Sequence, residues 1–69
     1  MRLRIRLKEV IEERGISMTR LSRLADVNYK TIAGLIKDPY RDVEYKPLYK
    51  IARALGVELG DLIEEVPDE

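Results

Sequence analysis

The sequence contains no cysteine, histidine, phenylalanine or tryptophan. Without cysteine the chain cannot form a disulfide or a thiolate metal site, and without histidine it lacks the commonest general base and metal ligand. It has no uninterrupted apolar stretch of the ~18 residues that a transmembrane helix needs, and its charged N-terminal segment, MRLRIRLKEV, is unlike a secretory signal. We therefore expect a cytoplasmic protein that has no metal, no cofactor, no membrane partner and no small-molecule substrate.

The chain has 69 residues, which is enough for one compact domain over residues 1–69. Its apolar residues are mainly aliphatic, with nine Leu, seven Ile and five Val. A chain of this length buries only about 60% of the surface of its unfolded form, so a partner subunit would add stability. Its carboxylates are accompanied by no His or Cys, and there is no Gly-rich phosphate loop. We therefore expect a homodimer that is not an enzyme.

The formal net charge is zero, but the charges are unevenly distributed. Residues 1–8 carry four positive charges and no negative ones, while residues 58–69 carry six negative charges and no positive ones. Residues 14–53 hold nine basic residues against four acidic ones. A neutral total can therefore conceal a basic face that binds nucleic acid.

The N-terminal segment alternates arginine with apolar residues, which predicts a short strand over residues 2–6, although a helical stripe also fits. Its arginines have three interpretations, which we rank in this order: a strand facing the acidic C-terminus, an arm that binds phosphates, or a membrane-surface patch. The arginines are Arg2, Arg4 and Arg6. The acidic tail, Glu64–Glu69, is most simply a solvated end.

Apolar spacing and capping residues predict a compact all-α fold of five helices. Ser17 and Asn28 are suitable N-caps for the second and third helices, because a side-chain oxygen can accept a hydrogen bond from a first-turn amide. Gly15 suits the left-handed residue that ends the first helix. The predicted helices span Leu7–Arg14, Met18–Ala25, Tyr29–Lys37, Tyr45–Leu55 and a fifth short segment containing Leu59, Leu62 and Ile63.

The second and third helices are separated by a turn of only three or four residues, which indicates a helix-turn-helix over residues 17–37. A helix is about 10 to 12 Å across with its side chains and fits a DNA major groove about 12 Å wide. The run GISMTRLSRLADVNYKTIAGLIK, followed by a loop and LYKIARALGVELGDLI, resembles the Cro/cI-type (lambda-repressor-like, Xre-type) helix-turn-helix domain. The resemblance covers Leu7 to Ile63. It implies a DNA-binding transcriptional regulator and allows a two-stranded antiparallel sheet between residues 2–6 and 63–67.

The resemblance also implies roles for individual side chains. Lys30 can donate to guanine O6 and N7, and Asn28 can pair with adenine through two hydrogen bonds. The residues that would face base edges are Asn28, Tyr29, Lys30, Ala33 and Gly34, with Gly34 allowing close approach. Those that would contact phosphates are Ser17, Met18, Thr19, Thr31, Lys37 and Arg41.

Three positions depart from the family pattern. Ser22 replaces the usual Ala of the first helix of the pair and needs a backbone acceptor for its hydroxyl. Asp26 replaces the usual Gly of the turn and tolerates a left-handed backbone better than most residues. Met18 replaces a frequent Gln, which shifts the polar contacts of that helix to Thr19 and to backbone amides.

Simpler interpretations remain open beside these roles. Ser17 and Asn28 can be caps only, Tyr29 can be a packing residue, and Lys30 and Lys37 can be solvated surface charges. The three tyrosines of residues 40–49 fit packing or a dimer face better than base stacking. For the whole protein, the alternative to a homodimeric DNA-binding regulator of a pseudo-palindromic operator is a protein-interaction module or antitoxin-type partner with the same fold.

Overall fold

Four helices and two short terminal strands make up the fold, and the computed structural model describes residues 2–67. In chain order the elements are β1 (Arg2–Ile5), α1 (Leu7–Arg14), α2 (Met18–Ala25), α3 (Tyr29–Lys37), α4 (Tyr45–Leu55), a 3₁₀ turn (Leu59–Leu62) and β2 (Ile63–Val66). The bounds of the four α-helices agree with the predicted ones. Within the described residues, no helix is long and apolar enough to cross a membrane.

The prediction of a fifth α-helix is wrong, because four α-helices are present in residues 2–67, and the two strands make the fold mostly helical rather than all-α. Leu59–Leu62 forms a single 3₁₀ turn, and the next residue, Ile63, already belongs to β2. The side chain of Asp61 accepts a hydrogen bond from the Glu58 amide at 2.9 Å, and Glu58 caps the turn in return. The Leu62 carbonyl accepts from the Arg6 amide at 2.7 Å, which draws the chain into the sheet before a second turn can form.

The terminal strands pair antiparallel, with Arg4 opposite Glu64 and Ile5 opposite Ile63. A guanidinium nitrogen of Arg4 donates to the Glu64 carboxylate at 3.0 Å and also bonds the carboxylate of Glu9 on α1. The Arg6 side chain lies 3.9 Å from Glu64 and donates to the Asp61 carbonyl at 3.2 Å. The interpretation of the N-terminal arginines that we ranked first, a strand facing acidic C-terminal residues, is thus confirmed for Arg4 and Arg6.

One detail of the expected pairing is different. Arg2 does not meet an acidic residue of β2, because its register partner is Val66. Its guanidinium instead lies 3.9 Å from the ring centroid of Tyr40, a cation–π contact. Glu65 lies opposite Leu3 rather than an arginine. The ring of Tyr40 therefore packs against the guanidinium of Arg2.

The Arg4 contact also affects the protonation of Glu9. The hydrogen bond from Arg4 holds the pKa of the Glu9 carboxyl below its ordinary value of 4.5, while partial burial acts in the opposite direction. The second oxygen of that carboxylate, Oε1, is buried and has no hydrogen-bond partner among residues 2–67. Glu9 is therefore held charged by Arg4 above all.

The core is aliphatic and continuous across all four helices and the 3₁₀ turn. Leu21 of α2 and Ile32 of α3 are completely buried, and α4 lies against α2. Burial of this apolar surface is the main force that fixes the α2–α3 pair. The fully buried large side chains are Leu7, Leu21, Ile32, Leu35, Leu48, Ile51 and Leu62.

Candidate nucleic-acid interface

The turn between α2 and α3 sets the angle between these helices. Asp26 adopts a left-handed conformation, with φ 56° and ψ 46°, as its tolerance of that region allows. The Ser22 hydroxyl donates to the Val27 carbonyl at 2.7 Å, and the Val27 amide donates to the Ser22 carbonyl at 3.2 Å. The acceptor that Ser22 needs is therefore the turn itself. Both departures from the family pattern are accommodated, and Ser22 also braces the turn.

The N-terminus of α2 offers backbone amides to an anion. Ser17 Oγ accepts from the Arg20 amide at 3.1 Å, which makes Ser17 the N-cap. The amides of Met18 and Thr19 donate no hydrogen bond within residues 2–67, and unpaired first-turn amides favour phosphate. The Met18 side chain packs against the core. Of Met18, only the backbone amide is thus available for the expected phosphate contact.

Asn28 is the N-cap of α3. Its Oδ1 accepts from the Lys30 amide at 2.7 Å, which leaves its NH₂ group free to donate. A two-bond contact with adenine needs the same oxygen as an acceptor, so that contact would share Oδ1 with the cap. The capping interpretation is confirmed, and the base contact stays a prediction.

The two sides of α3 differ sharply. Ile32 and Leu35 are 0% and 1% exposed and attach the helix to the core. The opposite side, which we call the outer face of α3, carries the candidate base-contacting side chains and Lys37. It consists of Tyr29, Lys30, Ala33, Gly34 and Lys37, of which Tyr29, Lys30 and Lys37 are exposed and Ala33 and Gly34 half-buried.

Arg41 reaches this outer face from the loop after α3. A Cβ atom added to Gly34 would lie 3.4 Å from Cζ of Arg41 and closer still to one of its terminal nitrogens. The guanidinium therefore occupies the space left by the missing side chain of Gly34. Arg41 and Lys30 also line the same shallow groove. Gly34 was expected from the sequence to allow close approach to DNA, and in this structure the group close to Gly34 is the side chain of Arg41.

Arg23 is a candidate that the sequence analysis missed. It is exposed and lines a shallow groove on α2 together with Ser17 and Thr19. Thr19 and Arg23 are four residues apart, so they share one face of the helix. That spacing is the signal that could have identified Arg23 as a further phosphate-binding side chain.

The cations on the outer face of α3, and Arg41 beside it, have no ion-pair partner among residues 2–67. Within the described part of the chain, no carboxylate oxygen lies within 4.0 Å of the charged nitrogens of Lys30, Lys37 or Arg41. Three positive groups without a carboxylate partner among residues 2–67 form a surface that attracts a polyanion.

Comparison with known proteins gives the family. Residues 6–68 match the model of the Cro/C1-type HTH DNA-binding domain, a range that includes α2, α3, the loop and all the candidate site residues. No curated protein matches the sequence significantly. The chain belongs to the Cro/C1-type helix-turn-helix family of DNA-binding domains.

Proposed function

We propose that the protein is a sequence-specific transcriptional regulator that binds double-stranded DNA as a homodimer and acts as a repressor. The observation that carries this proposal is the outer face of α3: its lysines have no carboxylate partner among residues 2–67, and buried Ile32 and Leu35 attach the helix to the core. Repression by occlusion is the simplest mechanism, because it requires only that the bound domain cover the promoter.

The outer face of α3 enters the major groove in this proposal. Lys30 donates to a guanine edge, and Tyr29 offers its hydroxyl or its ring to a phosphate or a thymine methyl. Ala33 and Gly34 add no polar group, so DNA shape supplies part of the specificity. Base edges are contacted by Asn28, Tyr29, Lys30, Ala33 and Gly34, and phosphates by Ser17, Met18, Thr19, Thr31, Lys37 and Arg41.

The homodimer is supported by an apolar cleft of ≈ 450 Å³ between β1, the loop after α3 and the start of α4. Leu3 and Tyr45 line it and are 59% and 68% exposed, and an apolar patch of this kind is a surface that a partner can cover. Arg41 lines both this cleft and the groove beside Lys30. A second copy in the cleft would thus lie next to the DNA-facing surface.

A two-fold dimer would place its recognition helices about 34 Å apart, so we expect a pseudo-palindrome with half-sites about 10 bp apart. The test is selection of bound fragments from random duplex DNA by the purified protein at about 150 mM salt. Enrichment of an inverted repeat with this spacing supports the proposal. An unenriched pool from folded protein contradicts it.

Equilibrium sedimentation tests the dimer separately. A sedimenting mass of two protomers on the selected duplex is the expected result, and one protomer per duplex at micromolar concentration would remove the dimer from the proposal.

The second candidate function is a protein-interaction module, and the exposed apolar cleft favours it. Salt distinguishes the two functions. Binding through phosphates weakens steeply as ionic strength rises, whereas an apolar protein interface is nearly insensitive to salt.

A further inference from the structure

The backbone conformation at Gly34 does not require glycine. It lies inside α3 and, unlike Gly15 and Gly56, does not have a positive φ. Glycine in a helix interior is less favourable than alanine, so some other constraint is expected there. Within the described residues, the group that meets a Cβ added at this position is the guanidinium of Arg41.

The position of Gly34 gives that guanidinium defined neighbours. Lys30 precedes Gly34 by four residues and Lys37 follows it by three, so both lie next to it on the helix surface. Arg41 therefore supplies a positive group between two lysines. Positive groups gathered on one surface raise the local positive potential, which favours binding of an anion there.

The loop holds Arg41 in this place. The Arg41 amide donates to the Asp38 carbonyl at 3.2 Å, and the Pro39 carbonyl accepts from the Ile5 amide at 2.7 Å, which ties the loop to β1. Asp42 and Glu44 line the same groove as Arg41, but in the described part of the chain neither carboxylate comes within ion-pair distance of it. The guanidinium is thus positioned without being neutralised.

We propose that Gly34 is a positioning residue that seats Arg41 on the outer face of α3, where Arg41 binds a backbone phosphate of DNA. Gly34 lies at the edge of that face, next to Thr31, which favours a phosphate over a base edge. A guanidinium binds phosphate through two parallel hydrogen bonds when its plane is held in place. The inference rests on the proposed function and refines it, because Gly34 then acts through Arg41 rather than by direct contact with DNA.

The experiment compares Gly34→Ala, Arg41→Ala and the double variant with the wild-type chain. Affinities are measured on the selected duplex and on a random duplex, over a range of salt concentrations, together with Tm. Gly34→Ala should weaken binding to both duplexes about tenfold and make the salt dependence shallower by up to about one ion. Its Tm should stay the same or rise, because alanine is the better helix former and only the flexible end of Arg41 must move. Reduced binding with undiminished stability excludes a merely structural role.

The double variant distinguishes a role of Gly34 in positioning Arg41 from a direct contact of Gly34 with DNA. If Gly34 acts through Arg41, adding Gly34→Ala to Arg41→Ala causes no further loss of affinity. Gly60→Ala is the matched control, because a Cβ at Gly60 meets no atom within 4 Å, and it should bind like the wild type.

Each contrary outcome has a distinct meaning. Wild-type affinity for Gly34→Ala, or additive losses in the double variant, would overturn the seating of Arg41 while leaving the proposed function intact. A loss confined to the selected duplex would replace the phosphate contact with a base contact and overturn that part of the inference. Failure of the wild-type chain to bind either duplex would overturn the proposed function and this inference with it.

Discussion

The terminal sheet and the outer face of α3 both carry clustered positive charge, but among residues 2–67 the two regions differ in whether carboxylates pair with it. In the sheet, Arg4 bonds the carboxylates of Glu9 and Glu64, and Arg2 lies over the ring of Tyr40. On the outer face of α3, the described residues provide no carboxylate partner for Lys30, Lys37 or Arg41. The net charge of the chain therefore does not indicate which cations can bind a ligand, because that depends on where the carboxylates lie.

On the proposed function, this difference separates charges that stabilise the fold from charges that bind DNA. An ion pair within the chain contributes to the folded state and leaves nothing for a ligand, whereas an unneutralised cation can release counterions from DNA. The zero net charge of the chain arises because its acidic C-terminal residues balance basic residues elsewhere. Substitutions in the two regions should consequently change different measured quantities.

The largest effect is expected for Lys30→Ala. Loss of a contact to a base edge should weaken binding to the selected site by about 1–3 kcal/mol and relax the preference at one base pair. Stability should change little, because Lys30 is exposed. Lys8→Ala on α1, also exposed, is the control and should bind normally. Equal losses on specific and random DNA would contradict the base contact.

Lys37→Ala should have a smaller and less selective effect. A lost phosphate contact weakens binding to all sequences alike and reduces the slope of log K against log salt by about one. Binding titrations at several salt concentrations measure this slope. A preference that changes at one base pair, with the slope intact, would move Lys37 from the phosphate group to the base-reading group.

Arg4→Gln should behave in the reverse manner. It removes the partner of Glu9 and Glu64, so Tm should fall while the DNA affinity of the folded protein stays unchanged. Thermal unfolding followed by circular dichroism measures the first quantity. Lys8→Gln controls for loss of a surface charge. If Arg4→Gln weakened DNA binding well below its Tm, the contrast between the two regions would fail.

The smallest effect concerns pH. Because the pKa of Glu9 is lower in the folded chain than its ordinary value, the unfolded chain binds the proton first as pH falls. The stability from Glu9 is present above pH 4.5 and is lost as the pH drops through its folded pKa; the effect is small because solvent screens this exposed pair. Urea unfolding between neutral pH and about pH 3 should therefore show a shallower acid dependence for Glu9→Gln. An identical dependence would remove the pair from the stability account.

Local features of the fold were predictable, and the distant ones were not. Ser17, Asn28 and Gly15 act within one turn of their own position, so the ends of the helices could be predicted from neighbouring residues. Leu59, Leu62 and Ile63 fit a helical stripe, but the Leu62 carbonyl bonds the Arg6 amide more than fifty residues away. Local spacing could not reveal that competition, and the fifth helix was therefore predicted wrongly.

In the candidate site, too, features set by neighbouring residues could be predicted and features set by distant contacts could not. The outer face of α3 follows from a 3.6-residue period, so Tyr29, Lys30 and Lys37 could be placed on it from sequence. The contact between Arg41 and Gly34 depends on the path of a loop that is tied to β1 through Pro39. Arg41 could be expected from the family resemblance to contact phosphate, but its position against Gly34 could not be expected from sequence.

The most direct test of the account is an NMR titration of the isotope-labelled chain with the selected duplex, following every backbone amide. We expect the largest shifts at Met18, Thr19 and along α3, with the amides of β1 and β2 nearly unmoved. Shifts concentrated in the terminal sheet, with α3 unaffected, would contradict the assignment of DNA binding to the unneutralised cations of the outer face.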